Sequence, residues 1–231
     1  MVAAQPVVLA VGRGTELKAG LSAAERWAWR LGYRRIAGTD EAGRGALAGP
    51  LVAAAVILPS VERIEGLEEV SDSKLLTPAV RKRLFKRIVE AAESWSFACI
   101  SAADIDKNGL QKINIAAMRE AVLSLEPSPD LVIVDYYRID GLGLPQLNLV
   151  RGDRVCRSVA AASILAKVIR DNLMWHWSLR YPEYGFENNK GYGTAQHLKA
   201  LAVYGPAPCH RSSFRGVLQM ELVLEADDGL D

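Results

Sequence analysis

Two adjacent carboxylates, Asp40 and Glu41, stand directly before the turn Gly43-Arg44-Gly45, and a third acid, Asp135, closes the run Leu131-Val132-Ile133-Val134. Acidic pairs are commonplace on protein surfaces, but an acid that ends an apolar strand is costly to bury unpaired. Carboxylate oxygens are hard ligands, so acids gathered at strand ends suit Mg²⁺ or Mn²⁺ better than a metal preferring nitrogen or sulfur. The glycines let backbone N–H groups approach a ligand closely, and Arg44 adds a donor for phosphate. The same segment also suits a purely structural turn, and the residue types alone leave both readings open.

Positioning such acids requires strands. Arg35 to Asp40 and Leu51 to Pro59 read as two strands joined by the glycine-rich turn, the second a Val/Ala/Ile run suited to full burial. Ser94 to Ser101, Leu131 to Asp135 and Leu147 to Val150 read as three more. Thr77-Pro78 reads as a helix start, with threonine as N-cap and proline at the first helical position. Val80, Leu84, Ile88 and Ala91 follow at helical spacing, while the basic residues between Arg81 and Arg87 form a solvated face. A short helix is expected around Ala23 to Leu31, another through Ile115, Met118, Val122 and Leu125, and a last one from Thr194 to the stop at Gly205-Pro206. The long run from Ser158 to about Leu179 places Val159, Ala162, Ala166, Ile169 and Leu173 on one helical face. Strands first and interleaved helices later predict an α/β domain with one mixed sheet. Sites in such sheets gather at the carboxyl ends of strands, where Asp40 and Asp135 fall.

At 231 residues, 50% hydrophobic and 24% charged, the chain suits one globular core. A flexible arm is expected over residues 1–20, one domain over 21–215, and an acidic tail over 216–231. The net charge of +1 is uneven: the last eleven residues carry five acids and no base, which leaves residues 1–220 at +6. That surplus permits phosphate binding without arguing for it. Cys99, Cys156 and Cys209 are odd in number and far apart, which excludes a closely spaced zinc pair and points to reduced, buried thiols. The longest uncharged stretch, Ala46 to Pro59, falls short of the roughly 20 residues of a membrane span. The opening residues lack a basic leader, so no signal peptide is expected and the cytoplasm is the expected location, with no membrane association; a monomer is the default expectation.

The stretch GTDEAGRGALAGPLVAAAVILP at 38–59 resembles the opening signature of the ribonuclease HII family. Further blocks resemble that family in the same order: SDSKLLTP at 71–78, INIAAM at 113–118, LVIVD at 131–135 and RGD at 151–153. SVAAASILAKVIRD at 158–171, YPEYGFENNKGYGTAQH at 181–197 and GPAPCHRSSF at 205–214 complete the set, so the resemblance covers about residues 35–215.

The resemblance implies a ribonuclease H-like fold, a central mixed β-sheet flanked by helices with a C-terminal helical region. It implies an endonuclease that cuts the RNA strand of RNA–DNA hybrids and cuts 5′ of ribonucleotides embedded in duplex DNA. Catalysis would use two divalent metals, Mg²⁺ or Mn²⁺, on Asp40, Glu41, Asp135 and Asp153. Asp153 could instead be a turn or capping residue. After Asp135 the sequence departs from a common family pattern, since Tyr136-Tyr137 stands where a small residue follows the aspartate. Asp140 is a rival acid, but it lies in the loop beyond the strand. The resemblance makes Gly43, Arg44 and Gly45 the reader of the ribose 2′-hydroxyl and Tyr192 the ring packed on the next sugar; as residues alone, an aromatic between glycines suits a loop anchor. Lys74, Lys167 and Arg170 are expected phosphate contacts, against the alternative of solvated helix charges. His176, His197 and His210 are expected to be structural. Two other functions compete: a ribonuclease H-like metal nuclease acting on DNA, and a non-catalytic nucleic-acid binder. A histidine-based ribonuclease is a third, one that would work in EDTA.

Overall fold

A computed structural model describes residues 8–10, 22–70, 73, 76–149, 152 and 155–217. The elements run β1 (Val8–Ala10), α1 (Ala23–Arg30), β2 (Ile36–Ala42), β3 (Leu51–Ile57), α2 (Pro78–Ala91), β4 (Ser94–Ile100), α3 (Ala102–Asn108) and α4 (Leu110–Leu123). They continue with β5 (Leu131–Asp135), β6 (Gln146–Leu149), α5 (Arg157–Arg180), a 3₁₀ turn (Pro182–Tyr184), α6 (Phe186–Asn189) and α7 (Ala195–Tyr204).

The chain divides into two compact units. Of the described residues, the first holds those within 1–42, 52–98 and 115–168; the second holds those within 43–51, 99–114 and 169–231. In the first, one sheet has the strand order β1-β6-β5-β2-β3-β4. β1, β6, β5 and β2 are mutually parallel, and β3 runs antiparallel to β2, so the sheet is mixed as expected. Every residue of β3 is buried, as a Val/Ala/Ile strand with a neighbour on each side should be. Ala24 and Ala28 of α1, Ile133 of β5, Leu147 of β6 and Val159 of α5 share one apolar cluster.

Two local devices fix the start of α5. Glu25 is buried on α1 and accepts the Ser158 backbone N–H at 2.9 Å, satisfying one of the orphan donors of the first helical turn. Gly38 of β2 supplies the closeness: a Cβ there would lie 2.2 Å from the Ser158 carbonyl carbon and the Val159 nitrogen. α5 therefore sits on β2 at a separation that a side chain would forbid.

The Thr77 cap stands where the sequence places it, and Thr194, read as a helix start, is also a cap. The Thr77 hydroxyl accepts from Val80 N–H ahead of α2, and the Thr194 hydroxyl from His197 N–H ahead of α7. The expected flexible arm does not extend through Val8–Ala10, because these residues pair with Gln146–Asn148 as an edge strand. The remainder of residues 1–20, and most of the acidic tail, lie outside the described residues. All three cysteines are free; Cys156 and Cys209 are buried, but Cys99 is exposed on β4, contrary to expectation. In the second unit Met174, Tyr184, Phe186, Leu201 and Cys209 form an apolar core. No helix among the described residues is long and apolar enough to cross a membrane.

Candidate active site

The parallel register sets Thr39 of β2 against Val134 of β5. The next residue on each strand is an acid, so Asp40 and Asp135 stand side by side, about one strand spacing of 4.8 Å apart in backbone. Glu41 follows Asp40 on the same strand. Burial first, then the charge of Glu41 and more weakly that of Asp135, hold the Asp40 carboxyl well above the ordinary carboxylate range. They do so against hydrogen bonds from the Glu41 N–H and the Ser163 hydroxyl, which favour the charged form. The Ser163 hydroxyl is itself 2.7 Å from that of buried Ser73. Asp135 Oδ1 accepts the Gly152 N–H at 3.0 Å, which ties the strand end to the residue before Asp153.

Glu41 and Asp135 are close enough for their charges to act on Asp40, and all three side chains end in carboxylate oxygens. A hard divalent cation would offset both the burial and the acid–acid repulsion that raise Asp40. Among the described residues no group of three or more His, Cys, Asp or Glu side chains is arranged to hold a metal ion.

In the second unit, residues 43–50 form an irregular turn rather than a regular element. Gly43 has φ +91°, and a Cβ on it would meet Arg170 Nε at 1.9 Å. Gly45 faces open space. Arg44 donates to Gln111 Oε1 at 2.6 Å. Tyr192 is 36% exposed, its ring centroid is 5.3 Å from the Arg170 guanidinium carbon, and its carbonyl lies 2.9 Å from His197 Nδ1.

The ribonuclease HII family model matches residues 37–217. The chain belongs to the ribonuclease HII family. It is 46% identical to the ribonuclease HII of Salinispora tropica over 224 residues, covering 92% of this chain and 83% of the relative. It is 49% identical to that of Roseiflexus castenholzii over 198 residues, covering 85% and 88%. The crystal structure of ribonuclease H2 from Pyrococcus horikoshii superposes with a TM-score of 0.74 at 27% identity, covering 83% of this chain and 99% of that one. The ribonuclease H-like α/β fold and the family's metal-dependent endonuclease activity on RNA–DNA substrates are therefore this chain's own.

Of the residues that the ribonuclease HII resemblance singles out, the structure brings Asp40, Glu41 and Asp135 together. Asp153 and Lys74 lie outside the described residues. Lys167 is half-buried on α5. Arg170 requires a correction. It is fully buried, and its guanidinium donates to the carbonyls of Pro50, Ala48 and Lys190, so it is not placed to reach a phosphate. Asp140 is exposed, at the 4.0 Å limit of an ion pair with Arg138. Tyr136, directly after Asp135, has φ +67°, a left-handed conformation that costs a non-glycine residue about 1–2 kcal/mol. Sequence reasoning passed over Ser163, Ser73 and Gly38. A lone hydroxyl within the apolar run 159–166 was the available signal for Ser163, whereas Gly38 depends on a tertiary approach that no local pattern encodes.

Proposed function

We propose that this ribonuclease hydrolyses the RNA strand of RNA–DNA hybrids and cuts on the 5′ side of ribonucleotides embedded in duplex DNA, with Asp40, Glu41, Asp135 and Asp153 holding two divalent metals. The observation that supports the reading is the placement of Asp40, two residues before the end of β2, beside Asp135, the last residue of the parallel strand β5, with Glu41 adjoining. When bound, two such metals acidify a water and stabilise the leaving 3′ oxygen of an in-line displacement. The chain's own part is to hold the carboxylates still. The Ser163 hydroxyl and Glu41 N–H orient Asp40, and the Gly152 N–H fixes one oxygen of Asp135.

An external water as nucleophile leaves the ribose 2′-hydroxyl free for recognition, so the products are 3′-hydroxyl and 5′-phosphate ends. Gly43, Arg44 and Gly45 take the part of reading that hydroxyl, the group that separates RNA from DNA. The half-exposed ring of Tyr192 packs on the following sugar, and Lys167 and Lys74 contact phosphates. The test compares a single-ribonucleotide duplex, an RNA–DNA hybrid and an all-DNA duplex, each with Mg²⁺, Mn²⁺ or EDTA. Cleavage of the first two, dependent on metal and absent from DNA, is the expected result. Cutting in EDTA, or a 2′,3′-cyclic phosphate product, contradicts it.

A further inference from the structure

Two arginines in the second unit, Arg170 and Arg211, are fully buried, and the hydrogen-bond partners of both guanidiniums are backbone carbonyls. Arg211 Nη1 donates to the carbonyl of Arg44 at 3.0 Å, and its Nε and Nη2 both reach Gly49 O. Arg170 Nε and Nη2 take Pro50 O and Ala48 O, and its Nη1 crosses to Lys190 O at 2.9 Å. An irregular turn has carbonyls that no helix or sheet ladder satisfies, and an arginine offers five donors in a rigid fork to collect them. The arrangement is expensive, because two like charges are desolvated together. Burial, and secondarily the charge of Arg170, push the Arg211 pKa down to about 10, which leaves it protonated at neutral pH.

Backbone bonds complete the bracing. Leu47 N–H and Ala48 N–H both donate to Gly191 O, and Arg211 N–H donates to Leu47 O. The first glycine of the Gly-Arg-Gly turn is bare because Arg170 occupies the space its Cβ would need. The Arg170 guanidinium thus bonds both the turn segment and the Tyr192 loop, and that of Arg211 bonds the turn segment, which the Gly191 carbonyl ties to the same loop.

We propose that Arg211 and Arg170 are positioning residues for ribonucleotide recognition, binding the Gly43–Gly45 turn and the Tyr192 loop into one hydrogen-bonded body. This rests on the reading that the turn takes the ribose 2′-hydroxyl and Tyr192 the next sugar. Arg211 is the sharper probe because it holds the carbonyl of Arg44, the middle residue of the turn, and no role follows for it from the acidic site.

The experiment measures kcat and KM in Mg²⁺ on two duplexes that differ at one position, a ribonucleotide or its 2′-fluoro counterpart. Arg211→Lys keeps the charge but loses the fork. The expected result is a preference for the 2′-hydroxyl at least about tenfold weaker than in the wild type, carried by kcat, since a misplaced reacting group costs rate while phosphate contacts hold affinity. Leu84→Ala, in the core of the other unit, lowers Tm with the preference intact, which removes mere destabilisation as the cause. Should Arg211→Lys not fold, Asp106→Ala decides. Asp106 accepts the N–H and hydroxyl of both Ser212 and Ser213 and anchors the segment that carries Arg211; its loss is expected to weaken the same preference. An unchanged preference in these variants, beside a lost one in Gly45→Val, overturns the positioning role and leaves the reading of the turn standing. An unchanged preference in Gly45→Val overturns the reading of the turn, and the positioning role falls with it.

Discussion

Alanine at position 38 perturbs the site without touching any carboxylate. Its Cβ would fall 2.2 Å from the Ser158 carbonyl carbon and Val159 nitrogen and 2.5 Å from Ser158 O, whereas ordinary contact begins near 3.4 Å. The obstacles are backbone atoms, so no rotamer change relieves them, and α5 must retreat by about 1 Å. Overpacking of this kind costs about 1–3 kcal/mol, or roughly 3–10 °C in Tm for a chain of this size. Ser163 lies one helical turn beyond and retreats with the helix, withdrawing its hydrogen bond from Asp40. A displacement of about 1 Å in a catalytic group costs on the order of 10²-fold in rate. Gly38→Ala is therefore expected to lose about 10²-fold in kcat/KM on a single-ribonucleotide duplex, beside a moderate loss of Tm by circular dichroism. Ser163→Ala isolates the hydroxyl and should lose about tenfold, the worth of one hydrogen bond to a charged group. A Gly38→Ala enzyme that melts early but turns over at the wild-type rate would refute the claim that the approach of α5 positions Asp40.

Replacing Tyr136 by asparagine, which tolerates the left-handed conformation, should raise stability by about 0.5–1 kcal/mol in urea unfolding; a loss would mean that the ring makes contacts outweighing its strain. The buried pair His197 and His210, with Nε2 atoms 3.0 Å apart, is satisfied when both rings are neutral, and a further proton would set two N–H groups against each other. Burial pushes the His210 pKa down to about 4, so its contribution is complete above the unfolded value near 6.5 and is lost as pH falls towards 4. Wild type should lose on the order of 3 kcal/mol more than His210→Gln over that window, as read by unfolding at each pH, and parallel profiles would refute the neutral-pair account.

Much of the scaffold was legible because it rests on local rules. The buried run of β3, the acid-terminated strand of β5 and the threonine caps of α2 and α7 depend on periodicity and side-chain chemistry within a few residues. β1 was not legible, since three apolar residues show no period and gain their strand from pairing with β6. α3 escaped for a similar reason: seven residues are too short for a stripe, although Ser101 caps it by accepting from Asp104 N–H. At the site, residue type located Asp40, Glu41 and Asp135, while the devices that hold them did not show. An arginine in a helical run reads alike whether it faces a phosphate or collects buried carbonyls, and Arg170 does the second.

Setting Asp135→Asn against Asp140→Asn tests most directly whether the acids near the carboxyl ends of β2 and β5 form the catalytic centre. Both remove one negative charge five residues apart, and Asp140 is exposed beyond the strand. With folding verified by circular dichroism, kcat/KM is measured on a single-ribonucleotide duplex in saturating Mg²⁺. Asp135→Asn should lose about 10³-fold, roughly 4 kcal/mol of transition-state stabilisation, and Asp140→Asn less than about twofold. A folded Asp135→Asn enzyme with near-wild-type activity, or an inactive Asp140→Asn, would contradict the account.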